Sequence, residues 1–226
     1  MWVKICANTN LEDATLAIEL GAEALGFVFA PSSRRVTVEQ VAAITKHLPE
    51  SVERIGVFAG HSQDEIADAV RLAGLTGVQM HNPLNVDLAR QLNATFEGKL
   101  ELIQTVHWVI DGSPEDEAAF ERNLRAAADE PTISRILVDS KKGAATGGTG
   151  IASPWKTIAA LARDLGKPLI LAGGLKTKNI GQAIAEVAPW GVDVASGVEA
   201  SPGVKDPARL RAFIAHARAP HTIHAD

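Results

Sequence analysis

Cys6 and Asp139 are the two side chains in this sequence best placed to move a proton, and each closes a short apolar run of strand type. Cys6 ends Trp2-Val3-Lys4-Ile5 and gives way to the polar Asn8-Thr9-Asn10, while Asp139 ends Arg135-Ile136-Leu137-Val138. A thiolate is a base and a nucleophile, and a carboxyl group partly removed from water can donate a proton. Each residue also has a plainer reading, Cys6 as a small buried apolar group and Asp139 as a turn or cap before Ser140-Lys141-Lys142. Their shared setting favours chemistry, because reactive groups at the C-terminal tips of parallel strands converge on one mouth. Residues two apart on a strand share a face, so Lys4 points the same way as Cys6, one layer deeper. An ammonium that close predicts a thiol pKa lowered from its usual value of about 8.5.

Anion-binding signals lie further along. Ala172-Gly173-Gly174-Leu175 follows the seventh strand-like run and Ala195-Ser196-Gly197-Val198-Glu199 follows the eighth. Backbone N–H groups of such loops, with the start of a short extra helix, hold phosphate groups in parallel barrels. Gly173, Gly174, Ser196 and Gly197 are therefore candidate phosphate contacts, and Val198–Ser201 is the expected extra helix. Arg34-Arg35, after the second run, offers a planar guanidinium to a substrate carboxylate. His81, just past the fourth run, reads as a rim residue that orients substrate or solvent. The glycine-rich stretch from Lys142 to Gly150 has Thr149 where a P-loop needs lysine, so it reads as a cover over the site. No metal is expected, because no two of the seven histidines have ligand spacing on one element, and His221 and His224 fall in a loose tail.

These tips require a scaffold of alternating strands and helices. Strand-like runs cover Trp2–Cys6, Ala24–Phe29, Arg54–Phe58, Gly77–Met80, Leu100–Val106, Ile136–Val138, Pro168–Leu171 and Val192–Val194. Segments of helical period cover Leu11–Leu20, Val38–Leu48, Gln63–Ala73, Pro83–Asn93, Pro114–Ala127, Trp155–Leu165, Lys178–Val187 and Pro207–Arg218. Asn10, Ser62, Thr177 and Ser153-Pro154 are helix-start signals, and Gly21, Gly74 and Gly166 are helix-stop signals. Eight βα units without a long reversing connection predict a single α/β domain, a (β/α)₈ TIM barrel over residues 1–218, with a frayed tail at 219–226; an open doubly wound sheet is the alternative. At 46% hydrophobic content the 226 residues can bury a large core. A net charge of −5 argues against a nucleic-acid partner. No apolar run reaches the roughly 18 residues that span a bilayer, and no signal peptide is expected, since Lys4 and Asn8 interrupt the first apolar run. One unpaired cysteine fits a reducing compartment, so a cytoplasmic location is expected.

The chain resembles the phosphoribosylanthranilate isomerase family of tryptophan biosynthesis from Val3 to about Ala217. The likeness is carried by Lys4-Ile5-Cys6, Gly26-Phe27-Val28-Phe29, Pro31-Ser32-Ser33-Arg34-Arg35, Val78-Gln79-Met80-His81, Leu137-Val138-Asp139, Gly147-Gly148-Thr149-Gly150, Ala172-Gly173-Gly174-Leu175 and Asp193-Val194-Ala195-Ser196-Gly197. The resemblance implies an Amadori rearrangement of a phosphorylated small-molecule substrate, with Cys6 as general base and Asp139 as general acid. It further implies that Arg35 binds the anthranilate carboxylate, that the two glycine loops hold phosphate, and that no cofactor is used. A monomer or a homodimer fits it. The family usually has glycine where Ala7 stands; if that position needs φ > 0, a Cβ there costs about 1 kcal/mol. Asn82 and Ala195 depart from its pattern as well. A histidine-pathway aminoaldose isomerase, which has aspartate at the Cys6 position, and a non-catalytic phosphate-binding barrel are the competing readings. An inward-pointing Lys4–Asp193 pair beneath Cys6 is also expected, because strands one and eight adjoin in a closed barrel.

Overall fold

In a computed structural model, which describes residues 1–110, 112–142 and 155–220, eight parallel strands close into one barrel in chain order. The strands are β1 (Trp2–Ile5), β2 (Ala24–Val28), β3 (Glu53–Phe58), β4 (Gly77–Met80), β5 (Glu101–Ile110), β6 (Arg135–Lys142), β7 (Leu169–Ala172) and β8 (Gly191–Val194). The helices are α1 (Leu11–Glu19), α2 (Val38–Thr45), α3 (Gln63–Leu72), α4 (Val86–Thr95), α5 (Pro114–Asp129), α6 (Trp155–Ala162), α7 (Ile180–Val187) and α8 (Pro207–Arg218). Closure is the pairing of β1 with β8, Lys4 opposite Asp193 and Ile5 opposite Val194, which excludes the open sheet. The cover segment after Lys142, the Ser153-Pro154 signal, and His221 and His224 lie outside the described residues.

Local chemistry accounts for most boundaries. Asn10 accepts a hydrogen bond from the Asp13 N–H at 2.8 Å, and Ser62 and Glu65 form a reciprocal capping box at α3. Gly21, Gly74 and Gly166 sit at φ 103°, 59° and 63°, the left-handed geometry expected after helices one, three and six. Two helix starts differ from expectation. α4 begins at Val86 rather than Pro83, because Asn85 accepts from the Leu88 N–H and caps it there. α7 begins at Ile180, and Thr177 is not its cap. The Asn179 side chain instead accepts from the Lys176 N–H at 2.7 Å and donates to the Gly174 carbonyl at 3.1 Å, bracing the loop after β7.

Two differences bear on the site. β5 and β6 run on as a pair to Ile110 and Lys142, four residues past the expected end of each, so Asp139 lies within a paired strand. The expected helix at Val198–Ser201 is a 3₁₀ turn at Ser196–Val198 followed by β9 (Glu199–Ser201), which pairs antiparallel with β10 (Val204–Lys205). The opposite face of the barrel is closed by Arg135, whose guanidinium lies 5.2 Å from the Trp2 ring and 4.8 Å from the Trp190 ring and bonds Glu53. Above this plug Ile55, Ile103, Leu137 and Ile170 fill the interior as a cluster separate from the core under the helices.

Candidate active site

Strand alternation builds the site in two layers. In the lower layer the Lys4 ammonium, fully buried, donates to Asp193 Oδ1 and to Gln79 Oε1, each at 3.0 Å. The Gln79 amide in turn donates to Thr105 Oγ1 at 3.1 Å. The expected Lys4–Asp193 pair is therefore present, extended into a chain of four residues from four strands. Two positions on from each of Lys4, Gln79, Thr105 and Leu137 come Cys6, His81, His107 and Asp139, one layer higher on the same faces. Cys6, His81 and Asp139 line one cavity of about 390 Å³, with Gln79 and Asp193 in its floor and Gly173, Gly174, Ser196 and Gly197 in its wall. β2 makes room through Gly26, where an added Cβ would stand 2.6 Å from Cys6 Sγ and 3.0 Å from Lys4 Nζ.

The charge state of the thiol differs from expectation. Burial pushes the Cys6 thiol up, the Asp193 carboxylate pushes it further, and Lys4 and Lys205 offset only part of this. The net pKa is raised, not lowered, because the loss of water around the buried sulfur outweighs the strong field of Lys4, part of which Asp193 cancels. Burial works against the Lys4 charge too, but Asp193 and Cys6 outweigh it, so Lys4 remains an ammonium.

Lys205 and Glu199 were not singled out from the sequence. Buried Lys205 donates to the Cys6 carbonyl oxygen and lies 3.5 Å from Glu199 Oε1. Glu199 also receives Arg34 through Nε at 2.9 Å and Nη2 at 2.6 Å. Burial raises the Glu199 pKa on its own, but Arg34 and Lys205 together bring it below the usual glutamate value. This network ties the loops after β1, β2 and β8 together. It spends Arg34 on structure and leaves Arg35 exposed, outside the cavity lining, with its backbone bridged to Val28. Lys205 sits in an ordinary Gly-Val-Lys-Asp-Pro turn sequence, so only its long-range packing reveals it.

Close backbone approach explains the wall. Gly173 and Gly174 have φ 82° and 65°. A Cβ on Gly173 would stand 2.2 Å from Ser140 backbone atoms, and one on Gly197 would stand 1.9 Å from the Leu175 carbonyl oxygen. Gly173→Ala is expected to cost about 1–3 kcal/mol of stability by forcing β6 and the β7 loop apart, a Tm loss of about 2–10 °C in a thermal melt; an unchanged Tm would show that the loop yields freely. Ala7, beside the thiol, has φ 61°, so the position does require left-handed backbone and carries strain on the order of 1 kcal/mol. Asn82 is not among the residues with positive φ.

Residues 3–216 match the family model for N-(5'phosphoribosyl)anthranilate (PRA) isomerase. The N-(5'-phosphoribosyl)anthranilate isomerase of Pseudomonas fluorescens is 39% identical over 213 residues, covering 93% of this chain and 95% of the relative. A crystal structure of phosphoribosyl anthranilate isomerase in complex with reduced 1-(o-carboxyphenylamino)-1-deoxyribulose 5-phosphate superposes with a TM-score of 0.79 at 34% identity, covering 96% of this chain and 98% of that one. A structure of monomers generated from the dimeric enzyme of Thermotoga maritima gives 0.78 at 35% identity, with the same coverage.

Proposed function

This chain belongs to the N-(5'-phosphoribosyl)anthranilate isomerase family, and from that membership we propose that Cys6 and Asp139 carry its proton transfers, as base and acid. The reaction is an aldose–ketose isomerisation of tryptophan biosynthesis. It is the Amadori rearrangement of N-(5'-phosphoribosyl)anthranilate to 1-(2-carboxyphenylamino)-1-deoxyribulose 5-phosphate. Asp139 protonates the ring oxygen while the anthranilate nitrogen lone pair moves to C1, opening the furanose to a protonated Schiff base. The Cys6 thiolate takes the proton from C2, and the electrons flow to the nitrogen as the enolamine forms. Return of the thiol proton to C1 and transfer of the C2 hydroxyl proton to Asp139 give the ketone and restore both groups.

The observation that carries this reading is that Cys6 and Asp139 line the same cavity as the glycine-rich wall. Gly173, Gly174, Ser196 and Gly197 present backbone to a phosphate, His81 contacts the substrate from the β4 side, and Arg35 swings in to pair with the anthranilate carboxylate. Residues 1–218 act as one catalytic unit, working in the cytoplasm as a monomer or homodimer. No helix among the described residues is long and apolar enough to cross a membrane. The test is the loss of N-(5'-phosphoribosyl)anthranilate fluorescence during turnover. Arg35→Ala is expected to raise KM about 10–100-fold, the worth of a charge-assisted pair, with the affinity for inorganic phosphate unchanged. An unaltered KM would remove Arg35 from the substrate site.

A further inference from the structure

His107 joins His81 and Asp139 in a constellation, and the isomerisation gives His107 no part. β5 and β6 pair with His107 directly opposite Asp139, so both side chains rise on the same face. His107 Nδ1 lies 3.5 Å from Asp139 Oδ2. The His81 and His107 rings stand nearly perpendicular with centroids 4.8 Å apart, and one ligand atom from each of the three residues lies within 4.8 Å of the others. We propose that these side chains form a binding site for a divalent transition-metal ion such as Zn²⁺ or Co²⁺, and that its occupation switches the isomerase off by engaging Asp139. The second clause rests on the acid role assigned to Asp139; the first does not.

The donor set suits such an ion. Two imidazoles and one carboxylate from three elements leave further coordination positions open toward the cavity, the pattern of facial sites for first-row divalent metals. Hydrogen-bond logic fixes which nitrogen of His107 is available. Its Nε2 lies 3.2 Å from the His81 carbonyl oxygen, and a carbonyl only accepts, so Nε2 carries the hydrogen there. That leaves Nδ1, which faces a carboxylate oxygen, as the nitrogen whose lone pair a metal would use. Donation of the second ring N–H to a backbone carbonyl is also how metal-bound histidines are oriented. The 3.5 Å gap is near the ligand–ligand edge of about 3.3 Å that tetrahedral bonds of 2.0–2.1 Å imply. No single element carries the triad: His81 follows β4, and His107 and Asp139 lie on β5 and β6.

The test titrates Co²⁺, followed by its visible absorption, and Zn²⁺, followed by calorimetry, into the full chain. His107→Ala and His107→Phe are compared with it, the second keeping a ring without a ligand nitrogen. A His221→Ala/His224→Ala variant controls for the other histidines spaced three apart. One equivalent is expected to bind the parent and the tail variant alike, and both His107 variants are expected to bind more than about 100-fold more weakly, beyond the loss from removing an outer partner. Zn²⁺ is expected to inhibit turnover in competition with substrate and a chelator to reverse it, with His107→Phe resistant. Undiminished binding by the His107 variants, or its loss in the tail variant, would overturn the site. Saturating Zn²⁺ that leaves turnover unchanged would overturn the inhibition and the acid role of Asp139, while the site itself would stand on the binding data.

Discussion

Asp139→Asn is expected to bind substrate normally and to turn it over about 10²–10⁴-fold more slowly, the usual contribution of a positioned general acid or base. Asparagine keeps the shape of the side chain and its place beside His107 but has no acidic proton for the ring oxygen. Cys6→Ala should fall into the same range, since the methyl group cannot take the C2 proton. The two variants are separable by pH. The Cys6 thiol is held above its ordinary value by burial, so thiolate is the minor form near neutrality and kcat/KM in the parent should climb as pH rises toward the thiol pKa. That rising limb should vanish in Cys6→Ala, whose residual rate no longer depends on the thiol. Steady-state fluorescence decay across a pH series reads both effects. Full kcat in Asp139→Asn, or a rising limb that survives Cys6→Ala, would remove the proposed assignment.

Lys4→Met should be the most destabilising single change in the barrel interior. Methionine nearly matches the lysine in length and volume, so packing is preserved and the main loss is the ammonium. Asp193, buried in the cavity floor, is then left without its cation, and breaking one side of a buried pair costs about 3–5 kcal/mol. In a chain of this size that corresponds to a Tm loss of roughly 10 °C. Lys4→Met/Asp193→Asn should recover most of the loss, because the orphaned charge is gone. The thiol provides a second readout: Lys4 is the largest influence holding its pKa down, so alkylation of Cys6 at a fixed pH should slow in the single variant. A double variant no more stable than Lys4→Met would show that the cost lies in packing and not in charge.

The architecture was legible because its signals are local or periodic. Eight strand-like runs alternating with amphipathic segments, and glycines at helix ends, are readable without knowing any partner. Two-residue alternation likewise places Lys4 beneath Cys6, and chain closure then brings it to Asp193. What escaped depends on partners. β5 and β6 extend to Ile110 and Lys142 because each supplies the other's ladder, which no single run such as His107-Trp108-Val109-Ile110 discloses. Lys205 and Glu199 acquire meaning only when Arg34 and the Cys6 carbonyl arrive from the far end of the chain. The direction of the thiol's shift also escaped, since proximity of Lys4 is visible in a strand pattern but the competing burial is not.

Lys4 and Asp193 are separated by 189 positions, and Lys205 and Cys6 by 199. During synthesis β1 therefore emerges with a cation whose counterpart follows 189 residues later. Joining ends so distant costs on the order of 5 kcal/mol of chain entropy, recovered only once both contacts form. A nascent chain stalled before β8 exposes two open edges, β1 and β7, and an unpaired lysine, a species prone to aggregate and suited to chaperone capture. Competence thus arrives only when β1 and β8 meet, and a polypeptide without β8 has no closed barrel in which to assemble the site.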